Sequence, residues 1–285
     1  MCGSSPDLSR LVRRAPLETQ SREHQTVKRW LVHPLMADLD VDDPRAVPIR
    51  GRIVREKVFL RRIYEEWYAM IAGAMPPGED PILELGSGGG FLETWLPGLL
   101  TSDVFPCPGV RVALDGRALP LGRSSLRAIV MTDVLHHIPQ SRQFFAEAAR
   151  CVRPCGRLVM IEPWVTPWSS FVYSRLHPEP FVPDAVDWEF PAGGPLSAAN
   201  TALPWIIFLR DLERFEREFP EWRLVVLRPL MPFRYLLSGG VSARSLTPAW
   251  TFGLWRGIER LIQPWSHRFG MFAHVVLERT DVERS

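Results

Sequence analysis

Lysine is nearly missing: Lys28 and Lys57 are the only two in a chain of 285 residues, and arginine carries the remaining positive charge. We read this as a base-composition bias of the coding sequence, because the arginines are spread along the chain. The formal net charge of +2 is too small for a global field that would gather nucleic acid. Nucleic acid is therefore excluded as an expected partner, and any membrane contact has to be peripheral. Cysteine is scarce as well. Cys2, Cys107, Cys151 and Cys155 make no disulfide framework, and the pair at 151 and 155 lacks the two further ligands of a structural zinc. Free thiols and no metal site are expected. No apolar run approaches the ~20 residues needed to span a bilayer. The opening Met1 to Asp7 also lacks the basic start and apolar core of a secretory signal, so a cytoplasmic protein is expected. What the chain has in quantity is hydrophobic residues, 46% of the total, enough for a sizeable core.

The most informative segment is Ile82-Leu83-Glu84-Leu85-Gly86-Ser87-Gly88-Gly89-Gly90, an apolar strand entering a glycine-rich turn. Glycine reaches positive φ and lets backbone approach a ligand closely, so side chains at Gly86, Gly88 or Gly90 would obstruct a ligand over the strand end. An amphipathic stretch follows (Phe91 to Leu96), then a second apolar segment (Leu99 to Ser102) that ends on Asp103. That order predicts strand, loop, helix, strand, with a carboxylate placed to hold both hydroxyls of a ribose. A third strand (Val110 to Leu114) ends on Asp115, and a fourth (Arg127 to Thr132) ends on Asp133 and leads into Val134-Leu135-His136-His137-Ile138-Pro139. A helix from Gln143 to Val152 and a fifth strand from Arg157 to Glu162 complete the series. Each acid has a plainer reading beside the functional one. Asp103 can cap a turn, Asp115-Gly116 is a good turn dipeptide, and Glu84 inside a strand needs a partner for its charge.

Five segments in this order, ELGSGGG (84 to 90), SD (102 to 103), LDGRALPL (114 to 121), DVLHHIP (133 to 139) and RPCGRLVMIEP (153 to 163), resemble the class I S-adenosylmethionine-dependent methyltransferases, in particular the type 11-like group acting on small molecules, lipids and glycans. The resemblance covers residues 82 to 163. It implies an α/β fold, a Rossmann-like doubly wound sheet of about seven strands with a C-terminal antiparallel strand, joined by N-terminal helices and cap insertions. It also implies S-adenosylmethionine as cofactor, with Glu84, Gly86, Ser87, Gly88 and Gly90 along its methionine and ribose part and Asp103 on the ribose hydroxyls. Asp115 would face the adenine amine with Leu119 as an apolar wall, and Asp133, at the end of the fourth strand near the reaction zone, would be a further cofactor-binding residue. Two other readings stay open. A nicotinamide enzyme uses a similar turn, but its fingerprint G-x-G-x-x-G suits a pyrophosphate, whereas here Gly86, Gly88, Gly89 and Gly90 run into Phe91. A protein that binds the cofactor without turning over, as a partner of another enzyme, would carry the same residues.

Methyl transfer is an in-line displacement in which alignment supplies much of the rate. A hydroxyl acceptor would gain from a base, and His136, His137 and Glu162 sit at expected strand edges. His136 is the favoured candidate, with a structural role for the pair equally in view. The rest of the chain divides into pieces around this core. Residues 1–80 hold a polar arm to about Arg22 and then a helical stretch from Ile49 to Met75, with Tyr64 and Tyr68 as candidate lid residues. A methyltransferase domain over 81–285 is expected to carry insertions at 164–203 and 229–270. The first is rich in proline and aromatic residues, and proline at that density argues against a long helix. Both insertions are apolar enough for an acceptor that is small or amphiphilic: a glycan, a lipid-linked sugar or a ring. A helix from Leu203 to Phe219, a strand from Trp222 to Leu227, a Trp-rich helix from Ala249 to Ile262 and a last strand from Phe272 to Glu278 complete the reading.

Overall fold

A computed structural model describes residues 31–281 apart from 38, 41, 178, 192, 195 and 196; the polar arm up to Arg22 lies outside the described residues. Seven strands form one sheet: β1 (Ile82–Leu85), β2 (Leu100–Asp103), β3 (Val112–Ala113), β4 (Leu126–Thr132), β5 (Val152–Pro163), β6 (Trp222–Leu230) and β7 (Phe272–Arg279), in the order β3-β2-β1-β4-β5-β7-β6. The first five run parallel, and β7 enters antiparallel between β5 and β6. This is the expected Rossmann-like sheet with its C-terminal antiparallel strand.

Alternation along the strands explains why the sheet is buried on both faces. Ile129, Met131, Leu158, Met160, Val275 and Leu277 point to one core. Ala128, Val130, Val159, Ile161 and Val276 point to the other. The first core is closed by the helix Ser141–Cys151 and the helical run from Leu203 to Glu218, through Phe144, Phe145, Phe208 and Phe215. The second is closed by α2 (Val58–Gly73), which supplies Phe59, Ile63, Trp67 and Ile71 and follows α1 (Ala46–Glu56). Strand order reverses between β1 and β4, so the loops leaving these two strands diverge and open a crevice at their C-terminal ends, where open α/β sheets bind ligands.

Four expected elements differ in detail. The stretch after Gly90 forms only a 3-10 turn, Leu92–Thr94, because Pro97 and Gly98 follow too soon for a helix. The single helix expected from Ile49 to Met75 is two, broken where Lys57 takes an extended ψ of 91° and its Nζ donates to the carbonyls of Gly240 and Ala243. The proline-rich insertion does contain a ten-residue helix, Pro167–Leu176, since Pro167 occupies the first turn behind a Thr166–Ser169 capping box. The helix expected over Leu203 to Phe219 passes through a π-helical stretch, Ile206–Arg210, and is interrupted at Asp211 before Leu212–Glu218.

One contact ties the N-terminal helices to the sheet edge. A Cβ on Gly51 of α1 would stand 2.5 Å from the Gly89 Cα, and one on Gly89 would stand 2.1 Å from the Gly51 Cα. Backbone meets backbone there. Gly51→Ala is therefore expected to destabilise the chain by about 1–3 kcal/mol, the range for overpacking, although helix propensity alone favours alanine. Gly257→Ala, inside the exposed helix Phe252–Leu261 with nothing near its Cβ position, should stabilise by about 0.5–1 kcal/mol. Denaturant unfolding of the two variants checks the opposite signs.

Candidate functional site

Two groups of side chains meet the crevice. The first is the turn after β1. Gly86 and Gly88 have φ of 65° and 50°, which glycine adopts freely. Ser87 Oγ donates to Glu84 Oε2 at 2.7 Å, Ser102 Oγ donates to the Glu84 carbonyl at 2.6 Å, and the Gly88 amide donates to Asp103 Oδ2 at 2.9 Å. Asp103 also accepts the Phe105 amide. Burial lifts the Glu84 carboxyl to about 7 against the Ser87 bond. Burial raises Asp103 too, its backbone bonds opposing. A cavity of about 210 Å³ adjoins the turn, lined by Glu84, Ser87, Gly88, Gly89, Gly90 and Thr101 among others. The Cβ position of Gly88 meets only the Gly86 carbonyl at 3.8 Å and the Asp103 carboxylate at 3.9 Å. The turn thus offers a bare peptide beside a buried acid, which fits a ribose with two neighbouring hydroxyls.

The second group follows β4. Asp133 sits at φ 64°, and its amide donates to the Ile161 carbonyl at 2.8 Å. Glu162, fully buried at the end of β5, accepts the amides of Val134 (2.9 Å) and Leu135 (2.8 Å) and faces His136 Nδ1 at 2.9 Å. His136 Nε2 lies 3.4 Å from Glu179 Oε2 and 3.9 Å from Asp133 Oδ1, and His137 Nε2 lies 3.9 Å from Glu179 Oε1. Burial works against a charged His136, but its bonds to Glu162 and Glu179 win and hold its proton well above the ordinary range. Burial, reinforced by the His136 charge, lowers His137 to about 3. Asp133 keeps 33% of its side chain open, yet the surrounding protein removes enough water to lift it to about 7.

Of the residues singled out in the sequence, Glu84, Ser87, Gly88 and Asp103 form one connected network, and Asp133, His136, His137 and Glu162 form another. Gly86 and Gly90 are also tightly packed: their Cβ positions would meet a Val134 methyl at 2.5 Å and the Tyr68 hydroxyl at 2.7 Å, and Gly90 lines the cavity besides. Asp115 is held below its usual range by the Arg117 guanidinium, which binds it through Nε and Nη2. Leu119 lies in the core beside the sheet. Trp164 is 2% exposed and lines a separate cavity of about 470 Å³ with Thr166, Trp205 and Leu227, away from the glycine turn. Two residues escaped the sequence reading. Arg50 of α1 acts electrostatically on Asp103, Asp133 and His137 alike, and so spans the two networks; as one arginine among many it gave no signal. Glu179 stands between prolines in His177-Pro178-Glu179-Pro180, an acid fixed in an extended turn, and that pattern could have marked it.

The raised Glu84 carboxyl has a testable consequence. Between the ordinary carboxyl range near 4.5 and its folded value of about 7, the folded chain keeps a proton that the unfolded chain releases. Its contribution to stability is whole at low pH and is lost as pH rises through that window, at about 1.4 kcal/mol per unit. Glu84→Gln should therefore gain on the wild type from pH 4.5 to 7, by about 3 kcal/mol in all, and the difference should then level off. Unfolding free energies measured across pH 4 to 9 give the curve.

Comparison with known proteins agrees with this architecture. Residues 83–160 match the family model described as a methyltransferase domain. No curated protein matches the sequence. Among solved structures, a chain of the complex between the Haloferax volcanii Trm112 methyltransferase activator and a methyltransferase is 13% identical, with a TM-score of 0.50 over 86% of this chain and 100% of the other. A SAM-dependent methyltransferase from Thermotoga maritima is 15% identical, with a TM-score of 0.50 over 81% of this chain and 99% of the other. Identities this low speak for the fold alone. The family match over β1 to β5 and the likeness of the whole sheet agree: residues 83–160 are similar to a methyltransferase domain, and the chain has the Rossmann-like fold of solved SAM-dependent methyltransferases.

Proposed function

We propose that this chain transfers the methyl group of S-adenosylmethionine to a nucleophilic atom of an amphiphilic acceptor. The observation that carries this reading is the convergence at one crevice of the bare Gly88 peptide beside Asp103 and the His136–His137–Glu179 cluster beside Asp133, with Arg50 acting on both. In this reading Gly88 and Asp103 hold the cofactor's ribose, with Glu84 and Ser87 shaping the turn and Asp133 bordering the site. The cofactor supplies an electrophilic methyl on sulfur. Glu162 is a positioning residue, since its carboxylate is occupied by two amides and the His136 ring. Our candidates for touching the acceptor are the Nε2 atoms of His136 and His137 together with Glu179. Transfer forms a bond from the acceptor atom to the methyl carbon as the carbon–sulfur bond breaks. The bonding pair stays on sulfur, and an acceptor hydroxyl releases its proton.

The insertions support an amphiphilic acceptor. They meet each other: Trp168 Nε1 donates to the Pro232 carbonyl at 2.7 Å, and the Thr166 hydroxyl donates to the Gly270 carbonyl at 3.0 Å. Glu179 from the first insertion acts electrostatically on Asp133, which suits a cap over the crevice. The second insertion also carries an inverted helix. In Phe252–Leu261 the acidic Glu259 faces inward and pairs with the buried Arg234 at 2.5 Å. Trp250, Leu254, Leu261 and Trp265 form an outward ridge, with Trp250 80% and Leu261 76% exposed. Arg260 and Arg268 flank it with positive charge and are exposed, while the exposed Arg256 is paired with Glu66 at 2.9 Å. Apolar residues outside with arginines beside them suit a peripheral seat on an anionic lipid surface. No described helix is long and apolar enough to cross a membrane.

Two experiments test these readings. Calorimetry should find S-adenosylmethionine binding weakened in Asp103→Ala by about 1.5–3 kcal/mol, the worth of a charge-assisted contact, and abolished in Gly88→Val. Glu179→Gln should keep cofactor affinity and lose acceptor-dependent release of S-adenosylhomocysteine. Unchanged affinity in Asp103→Ala removes that residue from the site, and cofactor binding with no product from any amphiphilic acceptor favours a non-catalytic binding partner. On the lipid side, the chain should sediment with anionic but not neutral vesicles, less so at high salt. The double variant Trp250→Ser, Leu261→Ser should lose at least about tenfold in this partitioning while binding cofactor normally.

A further inference from the structure

We propose that His136, His137 and Glu179 form a binding site for one divalent transition-metal ion of the zinc type, placed beside the cofactor crevice where it would hold and polarise the acceptor's nucleophilic oxygen. The inference rests on the methyltransferase reading for its role, but not for the site itself.

The donor set comes first. One ring nitrogen each of His136 and His137 and a Glu179 carboxylate oxygen lie within 4.8 Å of one another; His136 Nε2 stands 3.4 Å from Glu179 Oε2 and His137 Nε2 3.9 Å from Glu179 Oε1. Ligands about 2.0–2.1 Å from a tetrahedral ion stand roughly 3.4 Å apart, so small rotations bring the three donors to bonding distance. Two imidazoles and a carboxylate are a ligand set of catalytic zinc sites, which leave the fourth position open. Asp133 Oδ1 lies 3.9 Å from His136 Nε2, close enough to face a group in that position.

The second observation is how the histidines are held. A ligating imidazole donates its other ring N–H to a carboxylate or a carbonyl, which sets the tautomer and aims the lone pair. Both rings have that arrangement: His136 Nδ1 faces Glu162 Oε2 at 2.9 Å, and His137 Nδ1 faces the Ala198 carbonyl at 3.4 Å. In both cases the nitrogen turned toward Glu179 is Nε2, and on His136 a metal ion would take the place of the proton that bonds Glu179.

The carboxylate is pre-positioned as well. The Thr201 amide donates to the Pro180 carbonyl at 3.0 Å, the Asn200 amide donates to the His136 carbonyl at 2.9 Å, and the Asn200 side chain bonds Val182 through both its ends. The segment bearing Glu179 is thereby fastened to the loop bearing His136. Scarce cysteine says nothing about such a site, since none of its ligands is a thiolate.

The test uses the untagged full chain, stripped with a chelator and titrated with Co²⁺ and Zn²⁺ alone. One ion per chain is expected, with visible cobalt bands of a four- or five-coordinate site and zinc binding by competition with a chromophoric chelator. Glu179→Gln and His137→Gln should each weaken binding at least about 100-fold, and Glu162→Gln by about 10- to 100-fold through its hold on His136. A Cys107→Ser, Cys155→Ser double variant should bind as the wild type does. Binding of no ion up to millimolar concentration, or wild-type binding by both Glu179→Gln and His137→Gln in folded chains judged by circular dichroism, overturns the proposal. S-adenosylmethionine affinity measured on the same preparations separates the two readings. Intact cofactor binding without a metal sinks only this inference, whereas metal binding without cofactor affinity sinks the methyltransferase reading.

Discussion

The loop after β4, which forms one side of the crevice, depends on one buried carboxylate. Glu162 lies at the end of β5 with no exposed surface, and an unpaired charge there would be strongly destabilising. It is satisfied by three donors from the loop after β4, the amides of Val134 and Leu135 and the ring of His136. The same bonds fix the path of that loop, hold Asp133 in its left-handed conformation and aim the second nitrogen of His136 toward Glu179. The cost of burying the charge is thus offset by ordering the segment after β4.

The glycine turn is organised differently, by absence of side chains rather than by charge. Gly89 admits α1 to backbone contact through Gly51, Gly90 leaves room for the Tyr68 hydroxyl, and Gly88 alone stays open beside Asp103. The close approach of α1 carries Arg55 onto the carbonyls of Gly89 and Gly90, at 3.0 and 2.8 Å. An N-terminal helix therefore completes the crevice in a place where the missing helix after β1 leaves the turn uncovered.

The stretch from 229 to 270 is fastened in the same way from the other side. Arg234, nearly buried, pairs with Glu259 at 2.5 Å and with Glu66 at 2.8 Å, joining the second insertion to α2. With its acid turned inward, the helix Phe252–Leu261 has only apolar and basic residues left to show outward. Its exposed ridge follows from that internal pairing.

The parts legible in the sequence were those set by local chemistry. Strand alternation, glycine in the turn after β1, acids at the ends of β2 to β4 and the His-His pair are properties of neighbours in the chain, and they located the sheet and both halves of the crevice. Helix limits were legible only where capping or proline spoke locally, as at Pro167, and were misjudged where a distant partner decided, as at Lys57, whose ammonium is held by carbonyls of Gly240 and Ala243. Tertiary structure alone distinguished Gly88 from Gly86 and Gly90, sent Leu119 and Trp164 into packing, tied Asp115 to Arg117 and brought Glu179 to the histidines. In each case the reason is the same: a side chain's role here depends on what the fold places within a few ångströms of it, and those neighbours are remote in sequence.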